Sequence, residues 1–380
     1  MNTRIPSFLS RPVALAAAAL ATALLAAGSA QAAHGVAATA GQADATPSSR
    51  PLPVVASFSI LADLVKQVGG DRVAVESLVK AGGDTHVFQP GPAQVRQLSS
   101  ASLVVVNGLG FEGWMPRLIG SSGYKGPVVE AARGLQAMKA TDDHHHHGDD
   151  ADEDDHDHEG PHGHDHDHDG PHGHDHDEDG PHGHSHADHD HDEASHGHHH
   201  HHHGGLDPHA WQDALNVRHY VANIAEGLCQ AAPADCAGFR ERARAYDQKL
   251  LELDQEIHQA VDATPTDRRR VMVSHAAFGY YGRAYHITFM APVGISTEEE
   301  PSAAVVANLI RQARQQNVQA FFFENNSDPR LLKRMASELK NVTIGELYAD
   351  SLSPANGPAA DYLSMMRYNT RAISQALSKK

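Results

Sequence analysis

The stretch VVASFSILADLVKQVGGDRVAVESLV (54–79) decides the fold. Residues 54–58 read as a buried strand. Residues 60–68 carry apolar side chains at helical spacing until Gly69-Gly70 stops the pattern, and 74–79 read as a second strand. Strand, short helix and strand in 26 residues is a parallel βαβ unit. Outward from it, Ala81-Gly-Gly-Asp-Thr-His86 follows the second strand, and Pro90 and Pro92 open a helix through Leu98. A third strand, 103–106, is continuously apolar and runs into Asn107-Gly-Leu-Gly-Phe-Glu112; a fourth, 128–129, is short. Continuous apolar runs fit strands covered on both faces.

The same grammar returns after residue 265. Strands are expected at 271–273, 287–290, 318–323 and 342–347, with helices at 301–315, 329–339 and 360–377. Between the two halves lie a helix from about 213 to 230 and a pattern from about 237 to 261. The second keeps Phe239, Tyr246, Leu250, Leu253 and Ile257 at roughly helical spacing, which suits a rigid connector. The expected fold class is therefore α/β: two lobes, each with a mostly parallel sheet of about four strands flanked by helices, joined by a long backbone helix. The expected boundaries are a signal peptide at 1–32, a flexible leader at 33–52, an N-terminal lobe at 53–236, a linker helix at 237–264 and a C-terminal lobe at 265–380.

The first lobe is interrupted at 141–205, which holds 25 of the 32 histidines and 21 acids, with no lysine or arginine. Three near-copies of a ten-residue unit begin at Gly160, Gly170 and Gly180, and six histidines, 198–203, close the segment. Such a composition buries too little apolar surface to offset its ordering entropy, so disorder is expected. Imidazole and carboxylate are ligands for borderline divalent cations, so metal is the expected partner. A solvated linker or a purification tag is the plainer reading, but the internal position and the 19 further histidines argue against a tag. His144, His162, His164, His172, His174, His182, His184, His198 and His203 are taken as accessory, weak metal ligands.

Arg4 and Arg11, the apolar run 13–27 and Ala30-Gln-Ala32 read as a cleaved secretory signal. No cysteine follows the cleavage site to carry a lipid, so a periplasmic protein without a membrane anchor is expected. Most of the formal charge of −18 belongs to the insertion: without 141–205 there are 27 acids against 30 bases, and no basic patch suggests nucleic acid. The only cysteines, Cys229 and Cys236, lie seven apart across a turn and are expected to form a local disulfide rather than a metal pair.

Four side chains share one place in this scheme. His86 follows the second strand, His209 follows the segment after the fourth, His275 ends the first strand of the second lobe, and Asp350 ends its last. Open α/β sheets bind ligands outside the carboxyl ends of their strands, so two facing lobes bring the four into one cleft. Three imidazoles and a carboxylate suit Zn²⁺, with Mn²⁺ the second choice if the carboxylate is bidentate. Alone, each has an ordinary reading as a loop, capping or core residue. Glu112 is a weaker candidate, and His219, His258 and His286 fall in helix or strand patterns where surface or core roles are expected.

At these residues the chain resembles a family. Asp84-Thr-His86 with Phe88, Pro90 and Pro92, Asn107-Gly-Leu-Gly-Phe-Glu-Gly-Trp114, Asp207-Pro-His-Ala-Trp211, Ser274-His-Ala-Ala-Phe278, Gly294-Ile-Ser296, Glu300-Pro-Ser302 and Phe323-Glu324 are similar to the periplasmic zinc-uptake binding proteins (ZnuA type) of ABC importers. The insertion before His209 is itself similar to zinc members. The resemblance implies a solute-binding protein, not an enzyme. It would capture Zn²⁺ between two α/β lobes and deliver it to a membrane permease, acting as a monomer. It carries over His86, His209 and His275 as ligands. Asp350 matches an aspartate that ligates metal in manganese and some zinc relatives; elsewhere water or a glutamate completes the site, so the fourth ligand stays open. The cysteine pair departs from the family's C-lobe disulfide. Manganese uptake, a secreted zinc hydrolase and a histidine-rich zinc buffer are the alternatives. No HExxH helix, nucleophile elbow or obvious general base supports the hydrolase.

Overall fold

The computed structural model describes residues 50–140 and 205–378. The expected signal peptide, nearly all of the expected leader, and the histidines expected to be accessory ligands lie outside them.

The first sheet is built from β1 (Leu52–Phe58), β2 (Val73–Val79), β3 (Leu103–Val106) and β4 (Val128–Glu130), in the order β2-β1-β3-β4. The second is built from β5 (Arg270–Val273), β6 (Thr288–Met290), β7 (Ala320–Glu324) and β8 (Thr343–Leu347), in the order β6-β5-β7-β8. Every pairing is parallel, and the second sheet repeats the first sheet's order. The expected α/β class and its two four-stranded parallel sheets are therefore present.

Helices cover both faces of each sheet: α1 (Ser59–Gly69), α2 (Pro92–Ser99), α3 (Met115–Ser122), α4 (Ala214–Ala231), α5 (Cys236–Asp262), α6 (Gly279–Tyr285), α7 (Ala303–Gln315), α8 (Arg330–Ser337) and α9 (Tyr362–Ser378). The two-residue alternation of a strand sorts the side chains between these layers. Val54, Ala56, Leu103 and Val105 enter the core shared with α1, α4 and α5, while Val55, Val104 and Val106 face the layer with Leu98 of α2 and Leu118 of α3. In the second sheet Val271 and Val273 join the shared core, and Met272 packs with Leu309 of α7 and Leu332 of α8. One apolar core thus runs from the first sheet through α5 to the second.

Helix α5 is 27 residues long and buries Phe239, Ala243, Tyr246, Leu250, Leu253, Ile257 and Val261, a stripe at spacings of three and four. Helix α4 starts where Asp213 accepts the Leu215 N–H, the capping role of a short acid ahead of a helix. Two helices were not foreseen. Helix α3 has eight residues with Pro116 near its start and Gly120-Ser121-Ser122 at its end, and α6 has seven, two of them glycine; these weak helix formers hide both. Cys229 and Cys236 form a disulfide joining the end of α4 to the start of α5.

Closing so short a loop limits the denatured chain only modestly, by about 2 kcal/mol in the chain-entropy account. The double variant Cys229→Ser/Cys236→Ser should lose about that much unfolding free energy in urea denaturation, with metal titration unchanged. An unaltered midpoint would show that the bridge contributes no net stability.

Candidate metal centre

Three of the candidate ligands follow the end of a strand, and His209 follows an isolated bridge. After β2 the chain turns through Gly82, whose φ of +80° favours glycine, and the Asp84 carboxylate accepts the His86 N–H at 2.9 Å. His209 follows an antiparallel bridge between Lys139 and Leu206. Asp207 accepts both its backbone N–H (2.9 Å) and a bond from its ring Nδ1 (2.8 Å). His275 comes two residues after the end of β5, and Glu324, the last residue of β7, takes its N–H at 3.1 Å and its Nδ1 at 2.6 Å. Asp350 follows β8, where the preceding carbonyl of Ala349 accepts bonds from Trp211 Nε1 and Gln212 Nε2, both at 2.9 Å.

These placements aim three Nε2 atoms and one carboxylate at a common point. His86 Nε2 lies 3.3 Å from His209 Nε2 and 3.4 Å from Asp350 Oδ2. His275 Nε2 lies 3.2 Å from Oδ2, and His209 Nε2 lies 3.6 Å from Oδ1. All four donor atoms fit within 4.8 Å of one another. Tetrahedral coordination at zinc bond lengths of about 2.0–2.1 Å gives ligand-to-ligand edges of roughly 3.3–3.4 Å. These four separations bracket that value, and the remaining donor pairs lie within 4.8 Å.

His209, His275 and Asp350 are buried, and only the edge of His86 reaches solvent. Neither oxygen of Asp350 nor Nε2 of His275 makes a well-directed hydrogen bond; they face one another and the two remaining imidazoles. With Nδ1 of His209 and His275 committed to carboxylates, the proton of each neutral ring sits on Nδ1 and the Nε2 lone pair is free for a cation. The remaining walls are aromatic. Phe111 packs edge-on against His86 (4.9 Å between centroids) and His209 (5.8 Å), and Trp211 backs both Phe111 and His209.

Burial alone would lower the His275 pKa. The carboxylates of Glu324 and Asp350 outweigh it and hold the ring well above the ordinary imidazole range. Burial would raise Asp350, but His275 and His209 hold it well below the carboxylate range. A proton thus occupies the centre when no metal does.

His86, His209, His275 and Asp350 converge as their strand-end positions suggested. Glu112 does not join them. The chain curls through Gly108, Leu109 and Gly110, all at positive φ, and returns the carboxylate to its own loop. There it accepts Ser57 Oγ (2.6 Å), the Asn107 N–H (2.7 Å) and the Gly108 N–H (3.3 Å). Burial pushes this acid up to about 7, against those three bonds. It holds the Phe111 turn rather than an ion. His219 and His286 are exposed and His258 is half-buried beside Asp254, all outside the group. Asp207 and Glu324 were missed as functional residues. The repeated Asp-x-His spacing at 84–86 and 207–209 was the available signal for Asp207, and the strand-end position was the signal for Glu324.

Fold and centre together define a two-lobed metal-binding protein, and the comparisons give its family. The chain belongs to the family of zinc-uptake complex component A, periplasmic (ZnuA), whose model matches residues 54–376. It is similar to the metal ABC transporter substrate-binding lipoprotein ScbA of Streptococcus cristatus, 26% identical over 346 residues, covering 91% of this chain and 95% of that protein. It is also similar to the manganese ABC transporter substrate-binding lipoprotein PsaA of Streptococcus anginosus, 27% identical over 344 residues, covering 90% and 94%. In fold it resembles the periplasmic zinc binding protein TroA from Treponema pallidum, with a TM-score of 0.67, 23% identity, and coverage of 87% of this chain and 100% of that one. The family is a transporter component and not an enzyme family, it works outside the cytoplasm, and it implies a membrane permease as partner. Among the described residues no helix is long and apolar enough to cross a membrane.

The centre's own proton fixes a pH dependence. Metal must displace it from His275, so affinity should rise with pH through the raised pKa of that ring and fall about tenfold per unit on its acid side. Calorimetry in buffers of different ionisation enthalpy should find about one proton released per ion near neutrality; none released would contradict the raised His275. Glu324→Gln should weaken metal binding about 10–100-fold in a competition titration, because the ring loses its orienting carboxylate.

Proposed function

We propose that the protein captures Zn²⁺ outside the cytoplasm, holds it between its lobes on His86, His209, His275 and Asp350, and delivers it to the permease of a zinc ABC importer. The observation that carries this reading is the convergence of four ligands whose donor atoms lie within 4.8 Å of one another, with His275 Nε2 and both oxygens of Asp350 buried and otherwise unpartnered. Four filled protein positions suit a carried ion better than a catalytic one, which keeps a position open for water. The Nδ1–carboxylate pairs at His209 and His275 are the outer partners that zinc-ligating imidazoles use.

Within this proposal the chain folds as a 53–236 lobe and a 265–380 lobe about the connecting helix and acts as a monomer. It is released by cleavage of 1–32 rather than lipidated. Relatives are named lipoproteins, and the two cysteines of this sequence pair with each other in the disulfide. The 141–205 histidines serve as weaker accessory ligands that concentrate or sense zinc.

Manganese is the second reading, and one observation favours it beyond the names of relatives. Both oxygens of Asp350 face imidazoles, Oδ2 towards His86 and His275 and Oδ1 towards His209, so a bidentate carboxylate would raise the coordination number to five.

Titration of the purified protein with Zn²⁺ and Mn²⁺ in competition tests the choice: one tight site preferring zinc is expected. The site should survive deletion of 141–205 and be lost in His86→Ala. Preference for manganese would select the second reading, and loss of tight binding with the insertion would move the site out of the cleft.

A further inference from the structure

A cleft of about 620 Å³ leads to His275 from outside, lined by Ser274, Pro292, Thr297, Asn326 and Ser327 of the second lobe. Across from them the first lobe supplies Asp84. The two sides are joined by one direct bond, in which Thr297 Oγ1 donates to Asp84 Oδ2 at 2.7 Å. The other oxygen of the same carboxylate accepts the His86 N–H. Asp84 therefore links the backbone of one ligand to a loop of the opposite lobe.

That loop bears on a second ligand. Residues 291–302 contain no helix or strand, and they are fastened beside His275 through the bridge from Val293 and the bond from Ala276 N to Gly294 O. The ligand loop around His86 is fastened at its other end too, where Gly82 N donates to Ser351 Oγ, one residue beyond Asp350. His86 is the ligand with an edge in solvent. Asp84 and Thr297, which both line the cleft, meet between the loops that carry His86 and His275.

Resting on the ligand set proposed above, we propose that Asp84 and Thr297 are positioning residues that latch the two lobes across the metal and set how fast it leaves. The bond touches no ligand side chain, so it does not alter the coordination sphere. It keeps His86 and the His275 loop from parting, and it does so through a carboxylate acceptor, the stronger class of hydrogen bond. Removing it lowers the barrier to opening while leaving the four donors in place.

The test is release of Zn²⁺ from the loaded full-length protein into a fluorescent chelator, followed by stopped flow, with the association rate measured separately. Thr297→Val keeps the shape and removes the donor; release should quicken about tenfold, the scale of one charge-assisted bond. Association should change far less, the melting midpoint of the metal-free protein should hold, and Thr297→Ser should restore slow release. Equal release from wild type and Thr297→Val would overturn the latch. A fall in metal-free stability that Thr297→Ser fails to rescue would overturn it too, by showing a purely structural role. Wild-type protein that takes up no zinc tightly would instead overturn the ligand set, a result distinct from either.

Discussion

A carboxylate with both oxygens buried and neither hydrogen-bonded is among the most expensive groups a fold can hold unless a cation lies against it. Asp350 is such a group, and much of the architecture around it serves to bring cationic or cation-binding partners within reach. His275 approaches from the same lobe as Asp350, and His86 and His209 from the other, so the full set of partners is assembled only when both lobes are in place. Glu324 and Asp207 then face the outer nitrogens of two of those rings, adding negative charge behind the imidazoles and strengthening their pull on whatever sits in the middle. A proton relieves part of this imbalance and a divalent ion relieves more, which is why the centre is chemically unfinished without one.

The two sheets explain how residues separated by up to 264 positions arrive together. Both use the same strand order, with the first strand of each lobe central, and both present their carboxyl ends to the shared centre. The repetition lets one rule, ligands at strand ends, operate twice. The continuous apolar core through α5 fixes the distance between the two sets of strand ends more firmly than two separately packed domains would.

Most of this was legible in the amino-acid order because strands buried on both faces declare themselves as short apolar runs, and the residue after each run is where chemistry collects. Leu103–Val106 is the clearest case, matching the expected 103–106. The same rule misled at Glu112, which also follows a central strand. Nothing local distinguishes an acid that turns outward to an ion from one that folds back on its own amides; the difference lies in three successive positive φ angles. The roles of Asp207 and Glu324 were hidden for a related reason. An acid that orients a histidine is defined by a distance across the fold, and in the case of Glu324 that distance joins residues 49 positions apart. Helices α3 and α6 escaped because glycine and serine, poor helix formers, take up much of their few turns.

The bridge between Lys139 and Leu206, with Ala140 N bonded to Gly205 O and Asp207 N to Met138 O, brings the two ends of the insertion side by side at the edge of the first lobe. A segment whose ends are pinned together costs the fold only a logarithmic penalty in its length, about 0.6 kcal/mol for each doubling. The place of His209 is set by these pairings and by its bonds to Asp207, all of them outside the repeats at Gly160, Gly170 and Gly180. The histidine-rich run and the metal centre thus meet at one fixed junction, with His209 four residues beyond Gly205.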